Sequence, residues 1–370
     1  MVERVRVAIA HDYLTQRGGA EKVVLAMARA FPDAPIYTTL YDPAGTFPEF
    51  ADLDVRPSLL NRIAGFRRDH RNALLALPFA ASSIRIDADV VLTSSSGWAH
   101  GFRTSGRKLV YCYSPARWLY QTDAYLGDSG GAKRILMRAV GPSLRAWDRR
   151  AAASADRYLA ISSAVRDRIR DAYGREAEVV AAPHTIEVGL DEEAVPGIDE
   201  SQDYYLCISR LLPYKNVHRV IEAISTTPER RLVVVGSGPE EARLAAMLPP
   251  NAELRKNLSD AQMRWLYRRC KGVVAASYED FGLTPLEGAA YGRPSAVLRW
   301  GGFLDTVIEG VTGIYFDEPT PAAITGGLNE LEATRWDAVA IIAANERFSE
   351  KRFHEALHHA VGDVAAAGKA

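Results

Sequence analysis

The run of residues 272–302 limits most strongly what this chain can fold into. Apolar and small residues at 273–277 predict a short buried strand, and residues 295–299 predict a second one. The segment between them has the signals of a helix, so the run predicts a strand, a loop, a helix and a strand of a parallel α/β sheet. The helix signals are Thr284 as N-cap, Pro285 at the first helical position, Glu287 as capping-box partner and Gly292 near the end.

The loop after the first strand of this run contains Glu279. In a parallel α/β sheet, ligands bind where loops leave the carboxyl ends of strands. We therefore expect Glu279 to face a ligand, and we expect Glu287, early in the following helix, to lie near it. A capping-box role would also explain Glu287 without any ligand.

Two cations follow an earlier predicted strand at residues 204–209. Arg210 and Lys215 lie five residues apart in one loop. The planar guanidinium of Arg210 can bind one pair of pyrophosphate oxygens, and the ammonium of Lys215 can bind another. The alternative is an exposed basic pair without a ligand.

Two further features describe the second half of the chain. Residues 184–203 carry several acids, two glycines and one proline with little periodicity, so they predict a linker between domains. Ser259 and Gln262 predict a capping box that opens a helix containing Tyr267.

Composition limits the class of protein. At 370 residues the chain is long for one hydrophobic core, which predicts about two domains. It is 48% hydrophobic and 25% charged with a net charge of -1, so it lacks the positive excess typical of nucleic-acid binding. Cys112, Cys207 and Cys270 are scattered and odd in number, which predicts neither a disulfide framework nor a metal cluster. No apolar run approaches the roughly 18 residues of a membrane-spanning helix, and the start is too short for a signal peptide, so we expect a cytoplasmic protein.

The first half begins with a strand, a loop and a helix. Residues 5–10 predict the strand, and residues 20–30 predict an amphipathic helix after the loop H-D-Y-L-T-Q-R-G-G-A-E-K. The three spaced glycines of a dinucleotide-binding loop are absent from this loop. Gly18 and Gly19 would still let a ligand approach the backbone at a helix start, where unpaired amides favour an anion. An ordinary turn is the alternative.

The string E-D-F-G-L-T-P-L-E-G-A-A, with two glutamates separated by seven residues and followed by G-R-P and G-G, resembles the donor-binding motif of the retaining glycosyltransferases of family 4. Arg210 and Lys215 in the same half of the chain strengthen the resemblance. It implies the GT-B fold, an α/β architecture of two Rossmann-like domains whose parallel sheets face each other across a cleft. It implies an acceptor-side domain at 1–195, a donor-binding domain at 196–350, and a terminal helix at about 350–370 that can cross back onto the first domain.

The resemblance also implies roles for individual residues. The donor substrate would be a nucleotide-diphospho-sugar, with Glu279 at its sugar ring and diphosphate and Glu287 at its ribose hydroxyls. The expected catalytic residues are Glu279, Arg210 and Lys215. The other implied donor contacts are Gly18, Gly19, Phe281, Gly282, Leu283 and Thr284.

The finer match concerns the donor and the metal requirement. Glu279-Asp280 before Phe281-Gly282 is most similar to the members that use GDP-mannose to build O-antigen and exopolysaccharide. Arg210 and Lys215 would neutralise the leaving diphosphate, so no metal cofactor is expected.

On the acceptor side, the resemblance implies roles for His11 and Tyr113. His11 stands at a predicted strand end and is expected to line the acceptor side. Many family members have a histidine that touches the donor sugar where this chain has Tyr113, so Tyr113 departs from the pattern. Asp305 occupies the place of the glutamate in the family's G-G-x-x-E segment, and we interpret this part as a helix and a turn.

Two motifs match metal sites but are better explained otherwise. Asp87-Ala88-Asp89 matches the Asp-x-Asp pair of GT-A glycosyltransferases, yet here the predicted strand begins after the pair instead of ending before it. The run from His354 to His358 matches the H-E-x-x-H zinc motif, but the residues after it offer no third ligand that a helix would bring round. We interpret it as a chance match on a solvated terminal helix.

Residues 56–85 and 133–150 mix basic residues with large apolar ones. A basic amphipathic helix can lie at an anionic membrane surface, and several relatives act on lipid-linked acceptors. The alternative is a solvated face whose arginine stems cover the core. We hypothesise that the first domain contacts the inner leaflet of the cell membrane.

The predicted function is a retaining, metal-independent transfer of a hexose, in the first place mannose from GDP-mannose, onto a glycan or lipid-linked acceptor. A nucleotide-sugar 2-epimerase of similar shape is the alternative enzyme, and it would need acids and a histidine converging in the cleft. A catalytically silent nucleotide-sugar-binding protein is the other alternative. The four residues that argue against it are Arg210, Lys215, Glu279 and Glu287.

Overall fold

The computed structural model of the chain describes residues 5–74, 76–121, 131–184, 186–199 and 201–367. The chain forms two compact units. The first unit comprises the chain up to Pro183 together with the chain from Glu350 onward, and the second comprises His184–Ser349.

The first unit is built on a parallel sheet with the strand order β3-β2-β1-β5-β7-β8-β9, accompanied by a separate two-stranded sheet of β4 and β6. The strands are β1 Val7–His11, β2 Ile36–Thr38, β3 Val55–Pro57, β4 Arg85–Ile86, β5 Val90–Ser95, β6 Arg103–Thr104, β7 Arg107–Cys112, β8 Arg157–Ala160 and β9 Ala177–Val179. The helices are α1 Gly19–Ala30, α2 Ala64–Arg68, α3 Leu77–Ser83, α4 Arg117–Tyr120, α5 Gly131–Ala153 and α6 Ser163–Tyr173.

The second unit repeats this architecture with a parallel sheet of order β12-β11-β10-β13-β14-β15. The strands are β10 Tyr205–Ile208, β11 Leu232–Val235, β12 Ala252–Arg255, β13 Gly272–Ala275, β14 Ser295–Leu298 and β15 Gly313–Phe316. The helices are α7 Val217–Ser225, α8 Glu241–Ala246, α9 Asp260–Arg269, α10 Leu283–Ala290, α11 Phe303–Thr306, α12 Pro321–Ala333 and α13 Ala338–Asn345.

Side chains along β10 point alternately to the two faces of the second sheet. Tyr205 and Cys207 pack into the core on one face, and Leu206 packs into the core on the other. Both faces are apolar because helices cover both sides of a parallel sheet. This buried sheet fixes the places where its strands end, and the loops that leave those ends are therefore held on a rigid frame.

The terminal helix α14 Glu350–Ala366 packs in the first unit. Its Phe353 ring lies 5.6 Å from the ring of Tyr111 on β7, and its His354 Nε2 lies 2.9 Å from the Ala26 carbonyl oxygen on α1. The chain therefore returns to the first unit after completing the second.

The two units divide between Pro183 and His184, whereas the sequence predicted a boundary between residues 195 and 196. Residues 184–195 were expected to form part of a linker, yet Ile186 and Val195 are buried in a core of the second unit. Glu192 in the same segment forms ion pairs with two arginines of α9. The apolar residues of this segment are sparse and show no periodicity, so the sequence pattern did not indicate that they pack in a core.

Two predicted helix starts are confirmed and one is wrong. The Ser259 hydroxyl accepts a hydrogen bond from the Gln262 amide at 3.1 Å, and the Gln262 side chain returns one to the Ser259 amide, so the capping box of α9 is present. Helix α1 begins at Gly19, within one residue of the predicted start at residue 20. In α10, however, Thr284 is not the N-cap, because the helix begins at Leu283 directly after Gly282.

Candidate functional site

The topology of the second sheet selects one edge for ligand binding. The chain passes from β10 to β11 and β12 on one side, and then crosses to β13 on the other side of β10. Strands β10 and β13 are hydrogen-bonded neighbours, with Leu206 opposite Val273. The connections that leave the carboxyl ends of these two strands therefore run in opposite directions along the sheet, and the crevice at such a switch point is where open α/β sheets bind ligands.

The two predicted loops meet in this crevice. The Lys215 ammonium donates a hydrogen bond to Glu279 Oε1, and the Ser277 hydroxyl donates to the same oxygen at 3.0 Å. The Lys215 side chain is 9% exposed and that of Glu279 is 23% exposed, so the ion pair is largely withdrawn from water. A pair of this kind is costly to leave half-satisfied, and it therefore holds both side chains in a defined geometry.

Tyr214 links the second cation to this pair. Arg210 is exposed, and its Nη2 donates to the Tyr214 hydroxyl at 3.4 Å. The Lys215 ammonium lies 5.1 Å from the centroid of the Tyr214 ring. An aromatic face attracts a cation at this distance, so Tyr214 contacts both cations. No sequence motif predicted a role for Tyr214, although its place between Arg210 and Lys215 was a usable signal.

The backbone of the loop after β13 rests on the two glycines at 301–302. The Gly302 amide donates to the Glu279 carbonyl oxygen at 3.0 Å. A Cβ on Gly302 would lie 2.2 Å from Phe281 Cα, and a Cβ on Gly301 would lie 2.3 Å from the Glu279 oxygen. Only glycine permits this close approach of two backbones. The segment after these glycines was predicted to be a helix and a turn. This prediction is confirmed, because Asp305 lies in the short helix α11.

Gly282 turns the chain from this loop into α10. Its φ of 92° lies in the left-handed region, and a Cβ would lie 2.6 Å from the Phe303 ring. The left-handed turn starts the helix earlier than the sequence predicted, and it places Leu283 and Thr284 in the first turn of α10. Their amides are among those that a helix start leaves without intrahelical partners.

Glu287 does not form the predicted capping box. Helix α10 has no side-chain hydrogen bond at its N-cap. The Tyr267 hydroxyl on α9 instead donates to Glu287 Oε2 at 2.5 Å. Burial, with the Glu287 carboxylate second, raises the pKa of Tyr267 well above its ordinary value, so this hydroxyl keeps its proton and is the donor.

The first unit has its own switch point between β1 and β5, and His11 ends β1 there. His11 is buried, and its Nδ1 lies 2.9 Å from the Ser94 hydroxyl. Ser94 donates to the Tyr113 hydroxyl at 2.9 Å, and Tyr113 donates to the Ala20 carbonyl oxygen at 3.2 Å. This order of donors requires the His11 proton on Nδ1. The chain of hydrogen bonds anchors the start of α1 directly beside Gly18 and Gly19, and their ligand roles stay predictions.

Asp12 is a second polar anchor of the first unit. Its carboxylate is buried and accepts hydrogen bonds from the backbone amides of Ser96, Trp98 and Ala99 at 2.5, 3.0 and 2.6 Å. These bonds fix the loop that leaves the carboxyl end of β5. The sequence analysis did not select Asp12, although an aspartate directly after a buried strand is a signal for such a role.

The motifs that match metal sites take part in other contacts. Asp89 accepts hydrogen bonds from the Arg6 amide and guanidinium at 2.8 and 3.1 Å, at the amino end of β5. His354 binds the backbone of α1, and the His358 ring lies 4.7 Å from the Phe31 ring. Across the described ranges, no three His, Cys, Asp or Glu side chains are grouped as a metal ion would require.

The two basic amphipathic stretches differ. In the first, Leu59 and Phe79 are 75% and 78% exposed, and Ile63 is also exposed. In the second, Leu144 is buried and Trp147 donates to the Ser82 hydroxyl at 3.0 Å, so this part turns its apolar residues inward. Leu75 and the side chains of Arg71 and residues 131–138 lie outside the described part. No helix among the described residues is long and apolar enough to span a bilayer.

Two family models together match nearly the whole chain. The model described as Glycosyltransferase Family 4 matches residues 17–189, and the model described as Glycosyl transferases group 1 matches residues 190–351. The chain belongs to the family 4 glycosyltransferases.

Relatives of this family 4 glycosyltransferase include two mannosyltransferases by name. The GDP-mannose-dependent alpha-(1-6)-phosphatidylinositol monomannoside mannosyltransferase of Mycolicibacterium smegmatis is 26% identical over 60% of this chain and 67% of its own length. The alpha-1,3/1,6-mannosyltransferase ALG2 of Dictyostelium discoideum is 31% identical over 27% of this chain and 25% of its own length. The glycogen synthase of Leptothrix cholodnii is 32% identical over 38% of this chain and 31% of its own length. The match thus spans only part of these relatives, whose names cover different products.

Solved structures share the fold of this family 4 glycosyltransferase at low identity. The sucrose-phosphate synthase of Thermosynechococcus elongatus has a TM-score of 0.72 and 15% identity, covering 98% of this chain and 100% of that one. Anabaena HepE, solved in complex with UDP-glucose, has a TM-score of 0.67 and 16% identity, covering 97% and 100%. With two Rossmann-like units and these neighbours, the fold is GT-B.

Proposed function

We propose that this glycosyltransferase moves a hexose from a nucleotide-diphospho-sugar onto a glycan or lipid-linked acceptor with retention of configuration. The observation that carries the proposal is the Lys215–Glu279 pair in the crevice between β10 and β13. One loop supplies cations for a leaving diphosphate, and the neighbouring loop supplies a carboxylate that can orient the sugar.

The chemistry follows from where charge develops. As the bond from the sugar to the diphosphate breaks, negative charge grows on the diphosphate, and Lys215 and Arg210 would stabilise it more in the transition state than in the ground state. An incoming diphosphate would compete with Glu279 for the Lys215 ammonium. This exchange would release the Glu279 carboxylate toward the sugar ring while the acceptor hydroxyl attacks on the face that the diphosphate leaves.

Mannose from GDP-mannose is the donor that we favour. The Glu279-Asp280-Phe281-Gly282 sequence supports it, and so does the name of the Mycolicibacterium smegmatis relative. The glycogen synthase relative and the UDP-glucose complex of HepE make UDP-glucose the competing donor. Titrating the purified protein with both donors by calorimetry decides between them, and tighter binding of UDP-glucose would overturn the choice of GDP-mannose.

Substitution of the pair tests the site. Glu279→Gln and Lys215→Ala should each lower transfer by about 100-fold or more, because each removes a charge placed for the transition state. Lys271→Ala is the matched control, since Lys271 pairs with Glu332 at the opposite, amino end of β13. Near-full activity of Glu279→Gln would overturn the site assignment.

The products of the same assay separate the alternative functions. Sugar on the acceptor indicates a transferase, an interconverted donor indicates an epimerase, and binding without turnover indicates a silent binding protein. The anomeric configuration of the product, read by NMR, tests retention.

Transfer should also persist in EDTA if Arg210 and Lys215 stabilise the leaving diphosphate in place of a metal ion, and strong inhibition by EDTA would contradict this.

We further propose that the first unit contacts the anionic face of a cytoplasmic membrane. The exposed Leu59, Ile63 and Phe79 support this, together with the exposed arginines Arg62 and Arg68 near them in sequence. Apolar side chains among cations suit the headgroup layer. Binding to anionic liposomes at low salt should fall in Leu59→Ser/Phe79→Ser, and absence of wild-type binding would overturn the proposal.

A further inference from the structure

Two aromatic rings lie in the loops that carry and support Glu279 in the second unit. The rings of Tyr278 and Trp300 meet edge to face with centroids 5.1 Å apart. Tyr278 is 37% exposed, and Trp300 is half-buried because part of its surface packs against the core of the second unit. Trp300 is thus held by the core, Tyr278 contacts it, and both rings keep some surface exposed to solvent.

The backbone locates both rings at Glu279. Tyr278 directly precedes Glu279, and its amide donates to the Tyr214 carbonyl oxygen at 3.4 Å. Trp300 directly precedes the glycines that lie against the Glu279 carbonyl. The two rings therefore meet each other at the carboxyl ends of β13 and β14, in the loops that hold the backbone of the residue that is proposed to orient the sugar.

We propose that Tyr278 and Trp300 form a stacking subsite for a pyranose ring of a carbohydrate substrate. One face of a pyranose presents C–H groups and its rim presents hydroxyls, so it suits an aromatic surface beside a carboxylate. Trp300 is already held against the core and Tyr278 packs on it, so the pair loses little conformational freedom on binding, which favours affinity. The subsite rests on the proposed function, and its pyranose belongs either to the donor or to the acceptor.

A purely structural role fits these rings less well. Tyr204 and Tyr205, which support the sheet of this unit, are enclosed, and their hydroxyls donate to the Leu266 carbonyl oxygen and to the Glu332 carboxylate. Tyr278 instead keeps over a third of its surface exposed next to a charged pair. A solvent-facing aromatic at that position is typical of a binding surface.

Calorimetry with matched ligands tests the subsite. We compare GDP-mannose with GDP, and UDP-glucose with UDP, on the wild type, Trp300→Ala and Tyr278→Ala. A donor pyranose on the rings predicts that the sugar nucleotide binds about fivefold more weakly to the variants while the free nucleotide binds unchanged. An acceptor pyranose predicts unchanged binding of both ligands and an acceptor KM about fivefold higher in the transfer assay.

Controls separate stacking from folding. Trp300→Phe and Tyr278→Phe keep a ring and should restore most of the lost affinity. Trp336→Ala removes another half-buried tryptophan that packs on the same core, and it should leave both binding and KM unchanged. Equal losses for sugar nucleotide and free nucleotide, or all values within about twofold of wild type, would overturn the subsite alone. A wild type that binds neither sugar nucleotide would instead overturn the proposed function.

Discussion

Glu287 in the second unit is restrained by the hydroxyl of Tyr267. Its Oε2 accepts the Tyr267 hydroxyl from the neighbouring helix, and Tyr267 is fully buried. A buried, protonated donor at one oxygen restrains the orientation of the carboxylate. This arrangement suits the expected role of Glu287 in binding two ribose hydroxyls, because the orientation is set before the donor arrives.

Tyr267→Phe should raise the KM for the donor about fivefold to tenfold with little change in kcat, since it loosens a binding residue and leaves the reacting groups alone. Steady-state kinetics at fixed acceptor measures this split. Tyr291→Phe is the matched control, because the buried Tyr291 hydroxyl has no hydrogen-bond partner in the part of the chain that is described. A fall in kcat with KM unchanged would contradict a positioning role for Tyr267.

Glu332 is a residue whose charge links stability to pH. Hydrogen bonds from Arg230 first, and then from Tyr205 and Lys271, lower the pKa of Glu332 to about 2 against the opposing effect of burial. The Arg230 guanidinium is itself buried and donates to both carboxylate oxygens. Because the folded pKa is below the ordinary value, the stabilisation is complete above about pH 4.5 and is lost as the pH falls toward 2.

Glu332→Gln should therefore destabilise the second unit more at pH 6 than at pH 2.5. The difference should be about 1 kcal/mol after allowance for solvent screening of a partly exposed carboxylate. Urea denaturation at both pH values measures it. Glu330→Gln, an exposed glutamate on the same helix, should show no such difference, and an equal effect of both substitutions would remove the argument.

At the residue scale, the sequence predicted the charged residues of the crevice but not the residues that hold them in place. Arg210, Lys215 and Glu279 follow buried strands, and the carboxyl ends of adjacent parallel strands bring such residues together. Tyr267 could not be paired with Glu287 from the sequence, because the contact depends on how α9 and α10 pack. The spacing from Thr284 to Glu287 fits a capping box. The left-handed turn at Gly282 starts the helix before Thr284, so this capping box does not form.

At the scale of elements, the turn at Gly301–Gly302 holds the loop after β13 in place. The sequence identified this pair as part of a motif, but it did not predict the backbone of the other loop lying on it. That contact joins segments that leave neighbouring strands β13 and β14, and their register decides it. The turn therefore positions the backbone of Glu279.

Gly302→Ala should lower kcat by at least about tenfold while most of the fold survives. The φ of Gly302 is ordinary for alanine, but the new Cβ would lie 2.2 Å from Phe281 Cα and would displace the loop. Gly326→Ala is the matched control, because a Cβ there meets no atom within 4 Å and the residue lies inside α12. Transfer assays with a circular dichroism check decide the matter, and normal kcat in Gly302→Ala would mean that the loop tolerates displacement.

At the scale of the whole molecule, the order of residues along the chain does not match the division into two compact units. The second unit is continuous, whereas the first is closed by a helix from the other end of the chain. The resemblance to a family implied both the terminal helix and its packing on the first domain. Helix α14 directs Phe353, Leu357, Ala360, Val361 and Val364 into buried positions.

Phe353→Ala should therefore destabilise the first unit by about 3–5 kcal/mol, because the ring is buried against Tyr111 and leaves a cavity. Leu331→Ala, slightly earlier in the chain but buried in a core of the second unit, should destabilise that unit instead, by about 2–5 kcal/mol. Hydrogen exchange followed by mass spectrometry assigns each effect, with faster exchange in β7 for the first variant and in β13 for the second. Val339→Ala, at a 75% exposed site between the two, should change neither. If Phe353→Ala accelerated exchange in β13 as much as in β7, the closing helix would not belong to the first unit energetically.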